Sequence, residues 1–318
     1  EVVSIVKEAA RLKKKIRVAG AGHSFTGLGA TDDWLVSLDL LSGIEEIDEK
    51  DGIAKVLGGT RLFQIGKELG KAGYSQENLG DINVQSIAGA ISTGTHGTGL
   101  GFGNIPTQVE EITLVAASGE VLTLSRKENP DFFKACLISL GTLGIIVSVK
   151  LKIIKTPIYE YRSEKMPYQH VINHLDELIK NNLHFEFFLF PYSDIVQIKT
   201  MNISDRKPKT LFFHRAKNLL LENYLFLLLS EVSRMMPKSS PTISRLSAWG
   251  VGKARITGRS HELFSTPRKV KFREMEYSIP LPYLRNVLHD IRMCLEEKRF
   301  LVHFPIEVRT AKADEIWL

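Results

Sequence analysis

An α+β protein of two domains is what the sequence predicts, on three observations. Its 318 residues suffice for two cores of ordinary size. The first half alternates short β-rich runs with helical patterns around two glycine-rich loops, and that glycine-rich character stops at "KTPIYEY", residues 155 to 161. Beyond it, longer amphipathic helices alternate with strands, which predicts one large sheet covered by helices on a face. The expected domains are therefore residues 1–155 and 156–318.

Val2, Ile5, Val6, Ala9 and Leu12 recur at helical spacing, predicting a helix over 2–15 whose C-terminus is complemented by Lys13, Lys14 and Lys15. Strands follow at 16–19, 35–39, 44–48 and 53–57, then a helix in "RLFQIGKELGKAG" and strands at 109–116 and 120–124. Pro130 opens the helix of "NPDFFKACLISLGTLGII", and a glycine turn leads into the strand "IIVSVKLKII". In the second part the helix "YQHVINHLDELIKNN" precedes the strands "HFEFFLF" and "DIVQIKTMNI". The apolar stretch "NLLLENYLFLLLSEV", 218–232, is interrupted by Glu222 and Asn223. It falls short of the roughly 20 apolar residues of a spanning helix, so it reads as a packed amphipathic helix, with membrane-surface contact the less favoured alternative. A basic, Ser/Pro-rich passage, 233–269, then connects to the strand "KVKFREMEYSI", the helix "LPYLRNVLHDIRMCLEEK" and the strand "FLVHFPIEVRT".

A composition of 43% hydrophobic and 25% charged residues is that of a soluble globular protein. The net charge of +6 and pI of about 9.1 would suit an anionic partner, but the basic residues are dispersed, which argues against nucleic acid. Cys136 and Cys294 lie far apart, with no Cys or His at metal-ligand spacing beside them. No metal is expected, and a reducing, cytoplasmic setting is the simpler inference. Glu1 in place of Met, and an end at "DEIWL", read as the ends of a fragment.

The loop "AGAGHSFTG", 19–27, has the small residues that let backbone N–H groups approach phosphate oxygens. A dinucleotide fingerprint of the Rossmann type fails at Phe25, where the third glycine is due, and no Gly-Lys-Ser/Thr supports a P-loop. A second loop, "IAGAISTGTHGTGLGFG", 87–103, interleaves glycines with hydroxyl residues and suits an extended polar ligand. Two such loops, each holding a histidine, point to a large phosphorylated cofactor. At the other end "PIEVRT" sets Glu307 and Arg309 two apart on an expected strand, hence on one face. Spacing alone makes them an ordinary ion pair.

The segments "RVAGAGHSFTG", "NLGDINVQSIAGAISTGTHGTG", "SLGTLGIIVSVKL" and "EVRTAKADEIWL" occur in this order and together resemble the sugar-lactone and alditol oxidase branch of the vanillyl-alcohol-oxidase-type flavoproteins. The resemblance implies a two-part FAD-binding domain of that (PCMH) type, followed by a substrate domain with a large antiparallel sheet and covering helices. It implies FAD, carried covalently on His23. Val18, Ala19, Gly20, Ala21, Gly22, His23 and Ser24 match the first cofactor loop, Ser86 and Gly89 match positions near the flavin, and Thr93, Gly94, Thr95 and His96 match the second loop. Ile146 matches a backbone contact to the adenosine part. For His96, cofactor contact and a loop-stabilising hydrogen bond both stand open. Glu307 and Arg309 would be catalytic and substrate-binding, the arginine stabilising negative charge on reduced flavin or substrate oxygen and the carboxylate orienting a hydroxyl.

The implied reaction is oxidation of a CH–OH group of an aldonolactone or polyol by hydride transfer to flavin, with oxygen or another acceptor taking the electrons. Asp81 stands where alditol oxidases resemble one another in a small serine, so it counts as a cofactor- and substrate-side position that favours the lactone oxidases. An alditol oxidase and a flavin-binding fragment without turnover are the alternatives, since the branch's His-Trp-x-Lys segment is not found in the 318 residues. The berberine-bridge and cytokinin-dehydrogenase type is disfavoured by "EVRTAKADEIWL".

Overall fold

The computed structural model describes residues 1–208, 223–265 and 270–317. Its first part opens with helix α1 (Val2–Arg11) and a parallel pair of strands, β1 (Ile16–Ala19) and β2 (Trp34–Ser37). Five strands then form an antiparallel sheet: β3 (Ile44–Asp48), β4 (Ile53–Leu57), β6 (Val109–Val115), β7 (Val121–Ser125) and β8 (Ile145–Lys152), in the order β3-β4-β8-β6-β7. The short β5 (Tyr74–Ser75) pairs with β9 (Ile154–Lys155). Alternation along the strands sends Ala54, Val56, Ile112, Leu114, Val149 and Leu151 inward. They meet Ile65 and Leu69 of α2 (Leu62–Lys71), Ile87 and Ile91 of α3 (Ile87–Ser92), and Phe133 and Leu137 of α4 (Pro130–Leu137).

The second sheet contains β10 (Ile158–Pro167), β11 (His184–Leu189), β12 (Ile195–Ile203), β13 (Ala254–Arg259) and β14 (Ile306–Arg309), ordered β13-β10-β12-β11-β14 and antiparallel throughout. One face is apolar: Phe185, Phe187, Leu189, Val196, Ile198 and Val308 pack on Val171, Leu175, Ile179, Leu284 and Leu288 of the covering helices. Period-two alternation turns Glu186, Lys199, Glu307 and Arg309 to the opposite face. The mixed α and β class and the large antiparallel second sheet thus agree with expectation.

Several elements differ from the sequence reading. Helix α1 ends at Arg11, and Lys13 takes a left-handed φ of 54°, so the lysines lie in the turn beyond the helix and Lys14 pairs with Asp33 at 2.9 Å. The helix expected over 168–182 breaks at His174 into α5 (Tyr168–Asn173) and α6 (Leu175–Lys180). The connecting passage 233–269 instead contains α7 (Phe226–Met235) in part, α8 (Ser240–Gly250), strand β13 and the short α9 (Ser260–Leu263). The strand expected in "KVKFREMEYSI" does not form over residues 270–279, which run irregularly and mostly exposed with no partner strand.

Of the stretch 218–232, residues 218–222 lie outside the described residues. Within α7, Leu228 and Val232 are exposed, so the helix is not packed in the way its apolar pattern suggested. No helix among the described residues is long and apolar enough to cross a membrane.

Candidate functional site

The first glycine-rich loop follows β1 and, with the region of α3, walls a cleft of about 390 Å³. Val18, Ala19, Gly20, Ala21, Gly22, His23 and Ser24 line it from one side, Ser86, Gly89 and Thr93 from α3, and Ile146 from β8. Gly20 and Gly89 permit this closeness, because a Cβ on Gly20 would lie 2.8 Å from Ser86 Oγ and one on Gly89 3.0 Å from it. Ser86 caps α3 by accepting from Gly89 N–H at 3.3 Å. Gly22, with φ of +69°, and Gly27 instead face open space. Small residues with exposed backbone donors suit a phosphorylated dinucleotide.

Gln85, which the sequence reading passed over, also lines this cleft. Its Nε2 donates to Thr95 Oγ1 at 3.1 Å, while its buried Oε1 has no hydrogen-bond partner among the described residues. An orphaned acceptor beside a cleft is what a bound ligand satisfies. The residues present therefore fit FAD.

The remaining expected cofactor positions do not line the cleft. Gly94, φ +65°, turns the chain after α3, and Thr95 serves Gln85. His96 Nδ1 lies 2.8 Å from Gly97 O, to which it donates, and Nε2 lies 2.6 Å from Glu276 Oε1. Asp81 adds negative charge around Arg309 and Glu186.

The second group is a cluster of ions on the polar face of the second sheet. Arg309 Nε lies 3.4 Å from Glu307 Oε1 and Nη2 lies 3.3 Å from Glu276 Oε1. Burial acts against the guanidinium's charge, but Glu307, Glu276, Glu186 and Asp81 together raise its pKa above the ordinary value. The His96 hydrogen bond, with His96 and Arg309 charge beside it, holds the Glu276 carboxyl down at about 2 against the opposing effect of burial. Glu186 is pushed up, chiefly by burial and further by Glu307 and Asp81, while Lys199 and Arg309 oppose. Lys199 Nζ lies 3.4 Å from Glu186 Oε1. The sequence singled out Glu307 and Arg309 and missed Glu186, Lys199 and Glu276. The signal available was a lone glutamate among the aromatics of "HFEFFLF".

The second glycine-rich run, expected to be loop throughout but helical as α3 over Ile87–Ser92, joins the two groups. Its start lines the cleft through Ser86 and Gly89, and its far end is hydrogen-bonded to the chain around β14: Gly99 N donates to Thr310 O at 2.7 Å and Lys312 N to Phe102 O at 2.8 Å. Thr98 Oγ1 donates to Phe185 O at 2.5 Å, and His184 Nδ1 donates to Thr98 O at 2.7 Å. Gly99 needs its φ of +124°, and a Cβ there would meet Leu183 O at 2.5 Å.

Comparison with known proteins adds a context. A model of the D-arabinono-1,4-lactone oxidase family matches residues 149–318, and one of the FAD binding domain matches residues 1–125. L-gulono-1,4-lactone dehydrogenase of Mycobacterium tuberculosis is 34% identical over 319 residues, covering 100% of this chain and 74% of that protein. L-gulonolactone oxidase of Mus musculus is 29% identical over 326 residues, covering 100% and 73%, and D-arabinono-1,4-lactone oxidase of Candida glabrata is 31% identical over 334 residues, covering 98% and 62%. Two solved structures of cholesterol oxidase from Brevibacterium sterolicum share the fold, with TM-scores of 0.79 and 0.75 at 19% and 18% identity, each covering 97% of this chain and 67% of theirs.

Proposed function

The chain belongs to the D-arabinono-1,4-lactone oxidase family, and from that premise we propose that it is an FAD-dependent oxidoreductase that oxidises a CH–OH group of an aldonolactone. The observation that carries this reading is one continuous segment, helix α3 with the glycine-rich loop after it, which runs from the cleft to the chain just beyond the strand that bears Glu307 and Arg309. Residues 1–155 act as the FAD-binding part and 156–318 as the substrate part. Val18 to Ser24, Ser86, Gly89, Thr93 and Ile146 would hold the cofactor, with Gln85 Oε1 supplying a waiting acceptor. FAD supplies the hydride acceptor, and oxygen or another acceptor takes its electrons.

The chain's own residues bind, orient and balance charge. Arg309 stays a cation at every working pH and would stabilise negative charge on the reduced flavin or on the substrate oxygen, whose proton leaves to solvent as the hydride passes to the flavin. Glu307 accepts a hydrogen bond from the substrate hydroxyl and fixes which carbon presents its hydrogen. Asp81 presents a further acceptor on the same side. His96 acts through Glu276, holding that carboxylate against Arg309. His23, exposed in the cleft wall, is the attachment point we assign to the flavin.

The test is anaerobic reduction of the flavin-loaded protein by L-gulono-1,4-lactone, D-arabinono-1,4-lactone and a panel of alditols, followed by absorbance. Faster bleaching by lactones is expected; bleaching by alditols alone would reassign the substrate. On a denaturing gel a fluorescent band should remain on the wild-type chain and vanish in His23→Ala. Flavin fully released by acid from wild type would remove the covalent assignment.

A further inference from the structure

Three neighbouring strands place Lys199, Glu186 and Arg309 in one transverse row, because Glu186 is in register with Lys199 on β12 and with Arg309 on β14. Residues so opposed bring their side chains into contact range. One step along, Phe188 opposes Glu307, and the Phe188 ring centre lies 4.2 Å from Lys199 Nζ. The aromatic ring that carries Lys199 thus also backs Glu307. Arg309 is gripped from two further sides by Glu307 and by Glu276. Glu276 is half-exposed and sits on an irregular segment, whereas Glu186 stands inside a central strand, largely buried, with its own cation fixed beside it.

We propose that Glu186 is a positioning residue for the Glu307–Arg309 pair and that Lys199 is the counter-cation that holds Glu186 in place. The proposal rests on the assignment of Glu307 and Arg309 to lactone oxidation. A buried ion pair is poor at stabilising a fold, since apolar residues of equal volume often do better, and its better-attested use is to fix one arrangement. Here that arrangement is the direction of the Arg309 fork, whose planar donors lose their aim if one of the surrounding carboxylates is removed. The charged groups facing Glu186 are Lys199 from β12, Glu307 and Arg309 from β14, and Asp81 from the loop that precedes α3. Because burial, Glu307 and Asp81 favour a proton on Glu186, acid conditions neutralise it before an ordinary carboxylate and loosen Arg309.

The experiment compares Glu186→Gln, Glu186→Asp and the double variant Glu186→Gln/Lys199→Met with wild type and Arg309→Ala, all flavin-loaded. Melting temperature, flavin content, kcat and KM for an aldonolactone across pH are measured. So is the order of the Arg309 Nε–H resonance, assigned by its loss in Arg309→Ala. Glu186→Gln is expected to lower kcat about tenfold to a hundredfold, the range seen when an outer partner that orients a site residue is removed. It should also erase the acid limb of the kcat profile and disorder the Arg309 signal. Glu186→Asp should restore part of the rate, and the double variant should be slow while melting no lower than wild type.

Wild-type kcat, pH profile and Arg309 order in Glu186→Gln, beside a slow Arg309→Ala, would overturn this proposal alone. A double variant that melts lower yet keeps its rate per flavin would do the same. If Glu186→Gln does not take up flavin, the Asp and double variants decide by the same criteria. An unimpaired Arg309→Ala would instead overturn the underlying assignment of the pair.

Discussion

Around the cleft, residues 17–30 present small, mostly neutral and largely exposed groups, and what they offer a ligand is backbone. Around Arg309 the same chain crowds the carboxylates of Asp81, Glu186, Glu307 and Glu276 against Arg309 and Lys199, and what it offers is side-chain charge. The first arrangement depends on the absence of Cβ atoms, the second on the placement of long side chains by strand register. Substitutions should therefore fail in different ways: at the cleft by blocking assembly with the cofactor, at the cluster by slowing chemistry in a protein that still holds it.

The sharpest way to break the contrast is Gly59→Val, in the cleft wall. A Cβ there would lie 1.7 Å from Leu38 O, a clash with backbone that should cost about 4 kcal/mol or more. The expected outcome is little soluble flavin-loaded protein, read by the ratio of flavin to protein absorbance. Arg309→Ala should show the opposite pattern, with full flavin content but flavin reduction slowed by about 10²–10³ in stopped flow, as for loss of one preorganised donor. Arg309→Lys should recover only part of that rate, because a point charge cannot reproduce the planar fork. Comparable losses of flavin in Gly59→Val and Arg309→Ala would erase the distinction between the two regions.

A pH experiment sharpens the seam between them. Burial pushes His184 down to about 4, against the opposing hydrogen bond to Thr98, while an unfolded histidine titrates near 6.5. Between those values the unfolded chain binds the extra proton, so stability from this group is complete above about pH 6.5 and lost as pH falls towards 4, by about 3 kcal/mol. Melting temperature against pH should show that fall in wild type and a flatter curve in His184→Gln. The smallest effect is expected at Gly22→Ala, where open space surrounds the added methyl and only the positive φ resists, costing about 1 kcal/mol. Its flavin should load more weakly with kcat unchanged, by titration and steady-state assay.

These differences also explain how far the sequence could be read. The loop 19–27 and the spacing of Glu307 and Arg309 on one strand are local signals and stand where the local pattern put them, whereas the run 87–103 opens with helix α3 over Ile87–Ser92 in place of loop, and the strand expected over 300–310 forms only at Ile306–Arg309. The β-rich runs that became β3, β4 and β8 were equally legible, β4 with a clean alternation of buried residues. Glu276 was not, because nothing in "KVKFREMEYSI" tells an irregular strap from a strand; its conformation follows from His96 and Arg309, far away in the chain. Lys199 and Glu186 were hidden for the same reason, since their meeting requires the register of β11 on β12. Strand β10 was missed because its buried residues, Tyr159, Glu160 and Ser163, follow no period of two and two of them are polar.

The hydrogen bond from Gly99 to Thr310 has a consequence in time as well as in space. It closes a loop between residues far apart in the sequence, and so distant a closure is rewarded only after the intervening sheet exists. During synthesis the segments that wall the cleft leave the ribosome long before β14 does. The nascent chain is thus expected to have its cofactor cradle before its arginine, so that early intermediates can capture flavin without turning over sugar.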